Sequence, residues 1–298
     1  MHNIFKKLNS SKVFHKLSEK EFAWVLYDVG NSAFIMLACS LIPIWFKDLS
    51  IGEGPGKLTS DEATAYYALS ISAVTIIIAF LGPVLGNIAD NKGMKKIFFT
   101  TVVSVGVICC IINGFTTSWL LFLLLYIVTR ICYNAANAIY DSMLNDITSE
   151  ERMDEVSSYG YAWGYIGSCI PFLVALIAYV LGPDMLGVIS ASLSKQIGCI
   201  VTALWWAIVT LPLLKNYEQL FYTEKKEHAI RNSFKEIGHT LKTIALKDKK
   251  VLYFLIAFFF YIDGVYTIID MATAYGTSLG LNTTGLLLAL LLTQIVAF

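Results

Sequence analysis

Seven apolar runs long enough to cross a lipid bilayer, followed by an eighth that is shorter, leave this 298-residue chain one class of fold. The runs fall at about 22–46, 65–89, 97–117, 119–144, 157–181, 196–214, 251–275 and 284–298. A membrane-spanning helix needs about 20 apolar residues. Lipid offers no partner to a backbone N–H or C=O, so each run must satisfy its own groups as a helix. Charged residues make up 15% of the chain, against roughly a quarter in soluble proteins, and most of them sit in the short intervals between runs. The chain therefore reads as all-α and polytopic, with the bilayer as its first partner.

Lys and Arg set the orientation, because basic loops are retained on the cytoplasmic side. With the N-terminus inside, eighteen of the 22 basic residues fall in inside segments: up to Lys20, at Lys92, Lys95 and Lys96, at Arg152, and from Lys215 to Lys250. Lys47, Lys57 and Lys195 fall outside, and Arg130 lies within a run. Met1 to Glu21 is Lys-rich, but the apolar stretch after it is too long for a signal-peptide core. Six cysteines (Cys39, Cys109, Cys110, Cys132, Cys169, Cys199) lie inside or beside runs without metal-ligand spacing and read as small hydrophobes. All four histidines (His2, His15, His228, His239) lie outside the runs. No catalytic arrangement, metal site or cofactor is indicated, and zero net charge gives no reason to expect nucleic acid.

Ionisable side chains within a span are costly and mark functional positions. Three runs carry them as one-sided stripes, by the helical spacing of three and four. The first run has Tyr27, Asp28 and Asn31; the fourth has Arg130, Asn134, Asn137 and Asp141; the seventh has Asp263, Tyr266, Thr267 and Asp270. These are the candidate substrate- or ion-binding residues. The plainer alternative is that Arg130 pairs with a carboxylate only to satisfy itself between helices. Ser157, Gly160, Gly164, Gly167 and Ser168 form a small-residue stripe in the fifth run, read as a close helix contact. Trp45, Trp119, Trp205 and Trp206 read as interfacial anchors or packing aromatics.

The turn from Gly86 to Lys96 reads G-x-x-x-D-x-x-G-x-K-K. Gly86 permits close backbone approach, Asp90 can cap a following helix or bind free N–H groups, Gly93 permits a positive φ, and Lys95 and Lys96 hold the turn inside. A polar turn with an ordinary positive-inside signal is the alternative. In the long interval 216–250, Ile230, Phe234, Ile237, Leu241 and Ile244 recur at helical spacing, which predicts an amphipathic helix on the inner membrane face. The last run reaches Phe298 after about 15 residues, short for a core of roughly 30 Å, so the chain is expected to end inside its eighth helix.

The Gly86–Lys96 turn resembles the loop between helices 2 and 3 of the major facilitator superfamily. Six spans, a basic loop and a second set resemble its two repeated halves. At finer level, Phe22-Ala23-Trp24-Val25-Leu26-Tyr27-Asp28-Val29-Gly30-Asn31-Ser32-Ala33-Phe34 is similar to the helix 1 signature (W-x-L-Y-D-x-A-N-S-A-F) of the vacuole effluxer family. That family comprises the autophagy-related vacuolar amino-acid effluxers and their bacterial relatives; Gly30 stands where it usually has Ala. Ser157 to Gly160, Gly164 to Ser168, Ala203 to Trp206 and Leu211 to Leu214 are similar to its helices 5 and 6, and Tyr261 to Ile269 to its helix 7. The family's R-x-x-x-G pattern in helix 4 reads here Arg130-Ile131-Cys132-Tyr133-Asn134.

The resemblance implies a major facilitator fold: a cytoplasmic segment (1–21), a complete six-helix half (22–214), a linker (215–250), then helix 7 and part of helix 8 (251–298). It implies that helices 1, 4 and 7 line a central cavity and that Gly86, Asp90, Gly93, Lys95 and Lys96 act in gating. It further implies a secondary transporter of small organic solutes, amino acids foremost, in a bacterial plasma membrane with the N-terminus inside. Asp28 or Asp263 would bind an ammonium group or a proton, and Arg130 a carboxylate. The rivals are a non-transporting remnant and a membrane-embedded enzyme, the latter needing clustered nucleophiles or metal ligands that the sequence lacks.

Overall fold

The computed structural model describes residues 17–183, 185–223 and 229–298, without the side chains of 229–237. The chain forms α1 (Glu19–Ser50), α2 (Ser60–Ala89), α3 (Met94–Phe115), α4 (Trp119–Ile147), α5 (Met153–Val180), α6 (Ala191–Asn216), α7 (Ala229–Lys247), α8 (Lys249–Ser278) and α9 (Thr283–Ala297). A single 3-10 turn, Glu150–Arg152, leads into α5, and no strand occurs among the described residues. Among the described residues, helices α1 to α6 and α8 are the seven long and apolar enough to span; α7 lies between α6 and α8, and α9 is shorter. Most of the predicted interval between α6 and α8 is thus helical. Of its predicted apolar face, Ile230, Phe234 and Ile237 lie outside the described side chains, and Leu241 is exposed.

Several helices begin ahead of the apolar runs because polar residues cap them. Ser18 Oγ accepts from Glu21 N while the Glu21 carboxylate accepts from Ser18 N, and Thr59 and Glu62 do the same for α2. Each pair satisfies two otherwise free N–H groups.

Helix α1 is the hub. In its most apolar stretch 83% of residues are buried, against 0% for α8. It lies against α5 and α6 on one side and α4 and the end of α8 on the other. The glycine stripe of α5 makes the first contact possible. A Cβ at Gly160 would stand 2.9 Å from the Trp24 ring, and one at Gly164 would stand 2.8 Å from Ser32 Oγ. The stripe is therefore the close helix contact that its spacing predicts. On the α4 side, Trp24 stacks on Tyr140 with centroids 4.3 Å apart, and each donates a side-chain hydrogen bond to the other's carbonyl.

The tryptophans resolve to packing. Trp206 is fully buried between Phe34 and Tyr133, Trp205 donates to Val29 O, and Trp45 is buried against Gly198. Charge counting places Lys47 and Lys195 in outside segments; the structure places them near the end of α1 and the start of α6, and both are buried. Large apolar side chains such as Leu69, Ile76 and Phe80 on α2, and Phe254 and Phe259 on α8, stand exposed. A contiguous apolar exterior of this kind suits contact with lipid or with further protein.

Candidate functional site

The polar stripe of α4 is where the predicted residues converge, and it does so at three levels. At mid-helix, Asn137 Oδ1 accepts from Asn31 Nδ2 at 2.7 Å, and the Tyr27 hydroxyl stands at 3.5 Å. Two turns toward the start of α4, Arg130 Nη2 donates to Asp270 Oδ1 of α8 at 2.6 Å, and both side chains are more than nine-tenths buried. The guanidinium also lies over the Tyr133 ring, 5.8 Å from its centroid. At the third level Asp28 faces α5, where a Cβ on Gly164 would stand 3.0 Å from its Oδ2. Asp28 is within electrostatic reach of Asp141 on α4. Asn134 is half-buried on the same stripe, and Asp141 is exposed.

The seventh run divides. Asp270 joins Arg130, whereas Asp263 and Tyr266 are exposed and join none of these hydrogen-bonded groups. The cause is the course of α8: its buried residues are Asp270, Thr273, Ala274 and Gly276, all near its end, and its earlier turns stand away from α1. The structure thus brings together Tyr27, Asn31 and Asn137, and separately Arg130 and Asp270.

The turn between α2 and α3 differs from expectation in detail. Gly93 has φ +74° and opens α3, as its place in the pattern requires. Asp90 ends α2 and does not cap α3; its carbonyl accepts from Thr223 N at 2.8 Å. A Cβ at Gly86 would meet nothing within 4 Å among the described residues, so no close backbone approach explains this glycine. Lys96 is exposed, but Lys95 is buried, 3.1 Å from Asp146 of α4.

Asp146 is the residue that sequence reading missed. Its Oδ2 also accepts from the Tyr217 hydroxyl at 2.6 Å, and its Oδ1 accepts from Leu220 N and Phe221 N at 3.0 and 2.8 Å. Burial and the neighbouring carboxylate push the Tyr217 phenol well above its ordinary range, which keeps it a donor. One carboxylate therefore ties α3, α4 and the segment after α6 together. That segment also crosses the turn: Gln219 accepts from Gly93 N and donates to Ala89 O. Beside it opens a cavity of about 980 Å³ lined by Asp90, Lys95, Asp146, Thr148 and Glu150. Nearby, Glu21 of α1 accepts from Thr148 Oγ1 at 2.7 Å and pairs with Arg152 at 3.0 Å. The signal for Asp146 was its place just past the stripe, in Asn145-Asp146; a polar helix end reads the same way.

Comparison with known proteins supplies the rest. The pattern of the family described as vacuole effluxer Atg22 like matches residues 56–298. An uncharacterized MFS-type transporter, YxiO, of Bacillus subtilis is 41% identical over 285 residues, covering 95% of this chain and 66% of its own. The class H tetracycline resistance protein of Pasteurella multocida is 22% identical over 69% of this chain and 47% of its own. Autophagy-related protein 22 of Eremothecium gossypii is 21% identical over 93% of this chain and 63% of its own. The chain thus spans between about half and two thirds of the length of these relatives.

Proposed function

The chain belongs to the vacuole effluxer Atg22-like family of major facilitator-type membrane transporters, and on that premise we propose that it carries small organic solutes with an amino group, amino acids first among them, by alternating access. The observation that carries this reading is the polar seam between α1 and α4: Tyr27, Asn31 and Asn137 hydrogen-bonded within the two helices, with Asp28 and Asp141 on one side and Arg130 on the other. Polar groups within a span are expensive in lipid, and facing helices that share them line a path for a polar solute. Asp28 and Asp141 are acceptors for an ammonium group or a proton, and Arg130 is a donor for a carboxylate. Residues 22–214 act as one six-helix half, 215–250 as the linker and 251–298 as the start of a second half. The turn at Gly86, Asp90, Gly93, Lys95 and Lys96 belongs to the inner gate.

The test is uptake into proteoliposomes that contain the full-length protein. Radiolabelled amino acids, simple amines and simple carboxylates are offered in turn, with and without an imposed proton gradient. Saturable uptake of at least one amino acid, competed by amines, is expected. Uptake confined to carboxylates without an amino group would contradict the reading.

The same proposal places the protein in a bacterial plasma membrane with its N-terminus inside. Glu53 and Lys247 are both exposed in the structure and so report the two sides. An impermeant thiol reagent on intact cells is expected to label Glu53→Cys and to miss Lys247→Cys until the cells are opened. The reverse pattern would invert the topology.

A further inference from the structure

We infer that α7 and the corner where it meets α8 form a binding surface for the acidic phospholipid headgroups of the cytoplasmic leaflet, and that this contact holds α7 down on the membrane. The inference rests on the inside placement of the linker given above and names the partner of that linker. Between Ala229 and Lys250 the chain carries six cations, Arg231, Lys235, Lys242, Lys247, Lys249 and Lys250, against two acids, Glu236 and Asp248. One of those acids is engaged locally: Asp248 caps α8, its Oδ1 accepting from Val251 N at 3.2 Å. The apolar run of α8 starts at Val251, directly after Lys250. The corner therefore sits where a span enters the bilayer, at the depth of the lipid phosphates. Lys and Arg clustered immediately cytoplasmic of a span are the pattern that acidic lipids attract.

The start of α8 is short of anions by comparison with the other helices that begin on the same side. A helix N-terminus carries partial positive charge and favours acids in its first turn. Helices α1 and α5 follow that rule, with Glu19 and Glu21 in one and Asp154 and Glu155 in the other. Helix α3 begins with Lys95 and Lys96, and its buried lysine is paired with Asp146. Helix α8 begins with Lys249 and Lys250 and has no acid in its first turn. Among the described residues, no ion pair joins Lys242, Lys247, Lys249 or Lys250 to a carboxylate. Helix α7 adds the second half of the surface. Positions 230, 234, 237, 241 and 244 are apolar and recur at spacings of three and four, while 231, 235 and 242 are basic and recur at four and seven. A cationic edge thus runs beside an apolar stripe. The helix lies against α2 and joins α8 with one residue between them, which keeps it at the bilayer surface. An apolar stripe sinks among acyl chains while cations along its border reach the headgroups through their long stems. Free phosphate offers the same charge without the acyl chains that the stripe requires, so the lipid is the fitting source.

The experiment uses the full-length protein with its native cysteines replaced by alanine and Leu241→Cys carrying an environment-sensitive nitrobenzoxadiazole dye. Leu241 lies on the apolar stripe and is 54% exposed, so the dye displaces no packed side chain. Nanodiscs of phosphatidylcholine alone are compared with nanodiscs that also contain phosphatidylglycerol. Phosphatidylglycerol is expected to shift the emission to the blue. Salt at about 1 M, where the screening length falls to about 3 Å, is expected to reverse most of the shift. Lys242→Gln alone should raise the phosphatidylglycerol fraction needed for half the response about fivefold, the change that about 1 kcal/mol per residue produces. Lys242→Gln, Lys247→Gln, Lys249→Gln and Lys250→Gln together should abolish the response, and arginine at the same four positions should retain it. Emission from the unmutated surface that ignores phosphatidylglycerol would overturn the inference, whether or not the neutralised variants fold. A blue shift produced equally by glycerol phosphate in solution would also overturn it, in favour of a site for free phosphate. Nanodiscs expose both faces, so this readout does not depend on sidedness. The lipid response together with labelling of Lys247→Cys on intact cells would sink the inside placement and leave the lipid surface standing.

Discussion

Asp146→Ala is expected to cost about 3–5 kcal/mol of stability, the range found when one partner of a buried ion pair is removed and the other charge is left behind. The residue left behind is Lys95, whose side chain is 5% exposed. Its other hydrogen bond goes to a backbone carbonyl, that of Ser142. The N–H groups of Leu220 and Phe221 and the Tyr217 hydroxyl lose their acceptor at the same time. Because those groups come from α3 and from the segment after α6, two separate parts of the chain, the loss is not local: the segment Tyr217 to Thr223 should detach from the α2–α3 turn. Asp146→Asn keeps an acceptor and a near-identical shape, so it should recover part of the loss. Thermal unfolding of the purified protein in detergent orders the three forms. Asp146→Ala equal to wild type would show that the cluster holds nothing together.

Arg130→Met should be damaging to a similar degree, about 3–5 kcal/mol, for the same reason with the sign reversed. It leaves the Asp270 carboxylate buried between α4 and α8 with its cation gone. The informative comparison is the double variant Arg130→Met with Asp270→Leu. Replacing both members of a buried pair by apolar groups of similar volume is often neutral or stabilising. The double variant should therefore unfold within a few degrees of wild type, while transport through it fails. Stability recovered together with transport would mean that the pair only fills space, the plainer alternative that spacing alone leaves open.

The fold was legible because bilayer physics leaves few choices. Apolar length alone located seven spans and the shorter eighth run, and the small-residue stripe of α5 was legible as a contact because nothing larger than Gly fits beside Trp24 and Ser32. Spacing placed Tyr27 and Asn31 on one stripe and Asn137 on another, the family resemblance implied that the two face each other, and they do meet. What periodicity does not encode is which level of one helix faces which level of another. Asp263, Tyr266 and Asp270 share a face by spacing, yet α8 approaches α1 only near its end, so Asp270 alone of the three reaches the cluster. The burial of Lys47 and Lys195 is hidden from a charge count for a related reason: a long aliphatic stem lets a helix-end lysine bury while its ammonium reaches a partner elsewhere. For Lys47 that partner is α8, 227 residues further along the chain. Asp146 escaped because a carboxylate at a helix end is ordinary until its partners are known.

Under the proposed function the stripe of α4 lines a water-filled path while the opposite face of the same helix meets lipid. Cysteine labelling separates the two without knowledge of the substrate. Asn134 lies on the stripe and is half-buried. Val128 lies on the opposite face, by helical geometry, and is 39% exposed. In nanodiscs, with a water-soluble maleimide and the native cysteines replaced, Asn134→Cys is expected to label and Val128→Cys to stay unlabelled, although Val128 is the more exposed of the two. Labelling of Val128→Cys with none at Asn134→Cys would contradict the account.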